Sequence, residues 1–243
     1  MSRTASLLSL SLALVGCHFT MDGIEVDGER LTVHHEETLE VTSWPAAGLV
    51  IAAQMGDVRV EQSSGPSSIT VEVYERTLGQ AKAALEGGRL VTRADGAPSG
   101  IGRVLVRTGG PLPALSLTTG MGDVEVREVG VQGALTATSG MGNVSLRQAG
   151  EPASIDVESG SGDVTVSGTK CARVRARCGK GNLRLDGVES PEADFATGMG
   201  NVSIVRCTFQ RVKADTGVGN IECRESHFQI SDFDTGLGTV STE

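Results

Sequence analysis

The sequence predicts an all-β fold, a single-domain β-solenoid over residues 38–243 with 19–20 residues per coil and about nine coils. Three observations predict it. A Gly-x-Gly-(Asp/Asn)-aliphatic motif recurs with its second glycines at 122, 142, 162, 181, 200, 219 and 238. The residues flanking each motif alternate apolar and polar, which marks a strand with one buried face. Glycine supplies 33 of 243 residues while aromatics are 3%, so packing must come from small and β-branched aliphatics rather than large rings.

The motif runs Gly120-Met121-Gly122-Asp123-Val124, Gly140-Met141-Gly142-Asn143-Val144 and Gly160-Ser161-Gly162-Asp163-Val164. It continues as Gly179-Lys180-Gly181-Asn182-Leu183, Gly198-Met199-Gly200-Asn201-Val202, Gly217-Val218-Gly219-Asn220-Ile221 and Gly236-Leu237-Gly238-Thr239-Val240. An earlier copy, Gln54-Met55-Gly56-Asp57-Val58, lacks only the first glycine. Positions two and four after each second glycine are apolar, as in Val124/Val126 and Val164/Val166, and positions three and five are mostly polar. Apolar residues also precede the motif, as in Leu115/Leu117 and Ile155/Val157. Each repeat therefore reads as strand, glycine corner, strand and loose return. A sharp bend needs positive φ or close backbone approach, and glycine supplies both without a Cβ clash. The Asx that follows tolerates the left-handed region and can bond nearby backbone. Three residues before each second glycine lies another column, Thr119, Ser139, Ser159, Cys178, Thr197, Thr216 and Thr235. By parity it points inward, and it reads as a hydroxyl ladder with Cys178 as an isostere.

One repeat cannot bury its own apolar face, but stacked repeats form a continuous core. Residues 60–118 are less regular. Ile69-Thr70-Val71-Glu72-Val73 and Val104-Leu105-Val106 alternate like strands, whereas Leu78, Ala81 and Leu85 have helical spacing. That spacing predicts a short inserted helix near 78–86, placed as a cap over the first coils, because solenoids must hide open edges. The last coil shows no cap, and its bare edge is expected to accept a partner strand or a second copy.

At the N-terminus, Arg3 precedes the apolar run from Leu7 to Gly16. That run is shorter than the roughly 20 residues a spanning helix needs and fits the h-region of a signal peptide over 1–16. It ends in Leu14-Val15-Gly16-Cys17, which resembles the lipobox of bacterial lipoproteins. The resemblance implies cleavage before Cys17, lipidation there, and a tether over 17–37 ahead of the solenoid. His18 stands where an Asp would imply inner-membrane retention, so the outer membrane is expected in a two-membrane cell. A lipoprotein leader, an early Gly-Asp-Val corner, an inserted helix and serial Gly-x-Gly-Asx corners over about 38–243 are together similar to an uncharacterised bacterial β-strand-repeat family. Its members are usually called candidate adhesins. The resemblance implies a β-helical, envelope-associated protein with no catalytic residues to transfer.

The net charge of −9 argues against nucleic acid or an anionic membrane surface as the main partner. Gly-x-Gly near a strand can cradle phosphate, but only ahead of a helix, and strands follow here. Calcium β-roll repeats present several carboxylates per short turn, against one Asx per coil here, so no metal is expected. His18, His34, His35 and His227 belong to no evident metal-ligand arrangement of carboxylates or cysteines; the adjacent His34 and His35 in the tether read as solvated side chains, with capture of a metal as the alternative. The residues between the corner glycines form either a half-buried corner or an exposed methionine stripe suited to adaptable contacts. Cys171, Cys178, Cys207 and Cys223 read as small buried hydrophobes. The resulting expectation is an exported, lipid-anchored solenoid that serves adhesion or scaffolding, uses no cofactor and does no catalysis. Its expected partners are the membrane through Cys17 and a protein or polysaccharide, with no nucleic acid. The alternative is a solenoid enzyme or carbohydrate-binding protein acting on envelope polysaccharide.

Overall fold

A computed structural model describes residues 23–243. The leader 1–16, Cys17 and the start of the tether lie outside the described residues. Strands begin inside the span assigned to the tether. β1 (Ile24–Val26) and β2 (Glu29–Leu31) form a hairpin whose two turn residues, Asp27 and Gly28, both have positive φ, as a type I′ turn requires. β3 (Val33–Val41) then pairs antiparallel with β6 (Ser67–Glu75), and β6 pairs antiparallel with β9 (Ser99–Thr108). The first solenoid layer is β4 (Leu49–Met55) and β5 (Val58–Gln62), and β9 runs parallel along β5. The antiparallel β3–β6–β9 unit thus covers the N-terminal end of the stack.

The expected helix near 78–86 is instead a strand. β7 (Ala81–Glu86) pairs antiparallel with β8 (Arg89–Ala94) around Gly87-Gly88, at φ 56° and 93°. Ala81 and Ala83 are buried and Lys82 between them is exposed, a period of two rather than 3.6. The glycines at 79 and 87 bracket too few residues for a stable helical nucleus, and a Gly-Gly pair between short runs is a hairpin signal.

The solenoid itself repeats with little variation. Before the glycine corner lie β10 (Leu115–Met121), β12 (Ala134–Met141), β14 (Ser154–Ser161), β16 (Arg173–Lys180), the end of β17 (Leu183–Met199), β19 (Thr208–Val218) and β21 (His227–Leu237). After it lie β11 (Val124–Arg127), β13 (Val144–Arg147), β15 (Val164–Lys170), the start of β17, β18 (Val202–Val205), β20 (Ile221–Arg224) and β22 (Val240–Thr242). All these ladders are parallel and in register. Leu49, Leu115, Leu135, Ile155, Val174, Ala193 and Val212 make one inward column. Val58, Val124, Val144, Val164, Leu183, Val202 and Ile221 make another. Every member of both columns is buried. A third side closes the coil through Thr169, Val188 and Cys207, followed by Cys171, Ser190 and Phe209, all buried. Four of the five phenylalanines stack through the last coils, with Phe209 and Phe228 parallel at 6.0 Å.

Eight stacked corners, Gly56 to Gly238, enclose seven turns rather than nine. The difference comes from residues 60–118. They leave the stack to build the cap and the β7–β8 hairpin, and β10 returns to pair directly with β4. The loose return between coils is also more ordered than the sequence suggested. Glu128, Gln148, Gly168, Gly187, Arg206 and Glu225 all adopt φ between 50° and 63°, so the chain has a second, left-handed corner in every full coil. Only two of the six are glycine, because long polar side chains there project into solvent.

The inward hydroxyl column works as expected. Thr119, Ser139, Ser159, Thr197, Thr216 and Thr235 each donate to the carbonyl of the second corner glycine one coil earlier, at 2.8–3.0 Å. The Cys178 thiol takes the same place toward the Gly162 carbonyl. An unsatisfied buried carbonyl costs about 1–3 kcal/mol. Thr197→Val keeps the shape and removes the donor to Gly181, so it is expected to lower stability by about 1–2 kcal/mol. Thr197→Ser should stay within about 0.5 kcal/mol of the parent. Urea midpoints of the two variants provide the check.

Candidate functional surface

The residues singled out by the repeat form two outward ladders along one edge. Gly122, Gly142, Gly162, Gly181, Gly200, Gly219 and Gly238 all sit at φ between 135° and 157°, with Gly56 at 99°. Each lies against the backbone of a neighbouring layer, so a side chain there would overlap peptide atoms. The Asx column beside them is exposed, and its bonding differs from the local turn bonds the sequence suggested. The side-chain oxygen of each Asx accepts the backbone N–H of the Asx position one coil later. The chain of bonds runs from Asp57 through Asp123, Asn143, Asp163, Asn182, Asn201 and Asn220 to Thr239, at 2.7–3.0 Å. One side-chain oxygen per layer is what the ladder needs, so Asn serves as well as Asp. This explains the free exchange between them.

Between the corner glycines, Met55, Met121, Met141, Ser161, Lys180, Met199, Val218 and Leu237 stack in register. Met141, Met199 and Val218 are about half exposed and Leu237 is 70% exposed. The column is therefore an apolar stripe interrupted by Ser161 and Lys180, half-buried at Met55 and Met121 and more open from Met141 onward. In the last coil, β21 pairs with β19 and β22 with β20, and neither has a second strand partner among the described residues.

The flat side before the corner carries charges that alternate by coil. Arg175 lies 3.3 Å from Asp194 and 3.9 Å from Asp156, Arg177 lies 3.6 Å from Asp194, and Arg173 pairs with Glu192. The Arg173 guanidinium holds the Glu192 carboxyl below its usual range. These exposed pairs fix register between coils more than they add stability.

The histidines depart from the sequence reading. Antiparallel pairing of β3 with β6 sets His34 and His35 beside Glu72 and Glu75, remote in sequence, as well as the nearby Glu37. His34 Nδ1 is 2.9 Å from Glu72 Oε1, with its ring stacked on Tyr74. The His35 ring bridges Glu37 at 3.3 Å and the buried Glu75 at 2.9 Å. Glu75 accepts the backbone N–H groups of Gly79 and Ala81, and Glu37 accepts that of Ala83. Burial alone would raise the Glu75 carboxyl, but these N–H donors and His35 outweigh it and hold the group below its ordinary value. The glutamates of β3 and β6 carried the signal, which needed the strand pairing to be read. Among the described residues no three His, Cys, Asp or Glu side chains are arranged to hold a metal ion.

The four cysteines are buried and free. Burial pushes up the thiols of Cys171, Cys178 and Cys207. That of Cys223 is pushed to about 11 by burial, with the neighbouring Cys207 and Glu222 adding to it. Protonated, enclosed thiols are poor nucleophiles, so they act as core side chains.

The fold and its ladders define a class: a capped parallel β-solenoid whose repeats are closed by Gly-x-Gly-Asx corners and whose outer faces lie open. Within that class, residues 142–240 match the family model Toastrack DUF4097. No curated protein matches the chain. Solved structures share the fold at low identity. A candidate adhesin of Parabacteroides distasonis is 15% identical, with a TM-score of 0.53 over 86% of this chain and 97% of its own. One from Parabacteroides merdae is 16% identical, with a TM-score of 0.52 over 86% and 96%. One from Bacteroides fragilis is 14% identical, with a TM-score of 0.50 over 87% and 97%.

Proposed function

We propose that the protein is an envelope lipoprotein, lipidated at Cys17, whose solenoid is a rigid, non-catalytic surface for adhesion or scaffolding. The observation that carries this reading is the run of in-register side-chain columns, repeated coil after coil on a stiff parallel stack. Such a stack presents a long invariant surface to a partner at little entropic cost. The names of three structural relatives, candidate adhesins, support it, although a fourth is named a lipid binding protein, and the lipobox supports the anchor. The bare edge of β21 and β22 is a proposed contact for a partner strand or a second copy. Chains with and without residues 225–243 should then differ in oligomer distribution, and equal distributions would rule that contact out. The anchor is tested by fractionating membranes of cells carrying the wild type or Cys17→Ser, with protease added to intact cells. Loss of membrane association in the variant, with wild type cut on whole cells, is the expected result. A membrane-free wild type overturns the anchor, and full protection places the solenoid inside the envelope as a scaffold.

A further inference from the structure

The side of the solenoid after the glycine corner differs from the charge-balanced side before it. Register pairing sets Arg127 directly beside Arg147, about 4.8 Å apart in adjacent coils. Like charges in that relation are unfavourable unless something neutralises them. Arg127 is answered by Glu125 in its own strand. Arg147 has only a long contact to the Ser145 hydroxyl, at 3.4 Å, and no carboxylate partner among the described residues. The two coils that follow place Ser167 and Gly168, then Asp186 and Gly187, where the coils before and after carry longer side chains. Gly168 and Gly187 are the two members of the left-handed corner column without a side chain. The result is a shallow groove of about 530 Å³ whose lining includes Ser167, Gly168 and Gly187 together with the carboxylates of Glu128 and Asp186. Arg127 and Arg147 stand at one end and Arg206, paired with Asp186, at the other.

We infer that this groove binds an acidic polysaccharide, with Arg147 as its principal anion contact. Three features select that ligand. A guanidinium without a carboxylate partner offers paired N–H donors to a carboxylate or sulfate. The hydroxyl and bare backbone at the floor let a polar chain lie close without aromatic stacking. Arg147 and Arg206 are separated by three coil steps, roughly 14–15 Å, so one extended oligomer meets both. A single small anion would reach only one end. The protein's net charge of −9 opposes any polyanion at long range, so recognition rests on these short contacts and remains modest in affinity. This inference rests on the adhesion reading and names a ligand class for it.

The test uses the purified full-length chain and three probes: polygalacturonate as a carboxylated glycan, heparin as a sulfated one, and dextran as a neutral control. Binding is measured by calorimetry at low salt. Saturable binding of polygalacturonate or heparin and none of dextran is expected, and the stronger of the two identifies the anionic group. Arg147→Gln should weaken binding about tenfold. Arg89→Gln, at another exposed arginine without an ion pair among the described residues, should leave it unchanged. Gly168→Gln, which refills the groove floor, should also weaken it, with circular dichroism confirming the fold. Equal affinity for dextran, absence of binding to both acidic glycans, or an unchanged Arg147→Gln overturns the inference. None of these outcomes bears on membrane association of Cys17→Ser, so failure here and failure of the anchor are separable.

Discussion

Gly142→Ala is expected to prevent the chain from reaching its native stack, at a cost above about 4 kcal/mol. Two effects combine at this position. A φ of 141° lies in a region essentially reserved for glycine, and the added Cβ would overlap the carbonyl oxygen of Gly122 one coil earlier. Relief would require the coils to separate at the corner. Separation would break the Ser159 bond to the Gly142 carbonyl and the Asx bonds from Asp123 to Asn143 and onward to Asp163. Gly168→Ala is the contrasting variant. Its φ of 59° is an ordinary left-handed value, and its nearest neighbour would be a flexible Gln148 side chain at 3.3 Å. It should cost only about 1 kcal/mol. Denaturant unfolding, with hydrodynamic size, separates the two cases. Equal midpoints would mean the corner is not under the steric constraint the stack implies.

That contrast also shows what could be read from the sequence. The glycine corners were legible because steric exclusion acts on residue type: one backbone position tolerates one amino acid, so it repeats visibly. The inward hydroxyls were legible for the same reason, since each coil presents the same bare glycine carbonyl. The second corner was not, because the left-handed region accepts Glu128, Gln148 and Arg206 at modest cost and so leaves no single-residue signature. The hairpin at 81–94 was misread because Leu78, Ala81 and Leu85 satisfy a helical spacing by accident. What fixes that segment as strand is remote: carboxylates on β3 and β6 that receive its backbone N–H groups. The arginine groove was invisible for a related reason. Arg147 is one of several arginines at equivalent positions, and only the register shows that it alone in its ladder stretch lacks a carboxylate.

Those remote carboxylates lead to the second large effect. Glu75 is 1% exposed in its side chain, and its two oxygens hold the start of β7 through Gly79 at 2.8 Å and Ala81 at 2.7 Å. Glu75→Gln replaces one acceptor oxygen by a donor that faces a backbone N–H, and it removes the carboxylate that His35 Nδ1 contacts at 2.9 Å. A loss of about 2–4 kcal/mol at neutral pH is expected. It should concentrate in the cap, so amide exchange at Gly79, Ala81 and Ala83 should accelerate before exchange in coils such as Val144–Arg147. The pH dependence has a definite sign. The Glu75 carboxyl is held below its ordinary value, so the unfolded chain binds its proton first as pH falls. The stabilisation is therefore complete above the ordinary carboxylate value of about 4.3. It is lost as pH drops through the lower folded value. In the wild type, cap protection should decline as pH falls below the ordinary carboxylate range. In Glu75→Gln that part of the decline should vanish, because the amide does not titrate, while the neutral-pH deficit remains. A variant that matched the wild type in both respects would show that β7 is held by its pairing with β8 alone, and that the carboxylate bonds follow the hairpin rather than fix it.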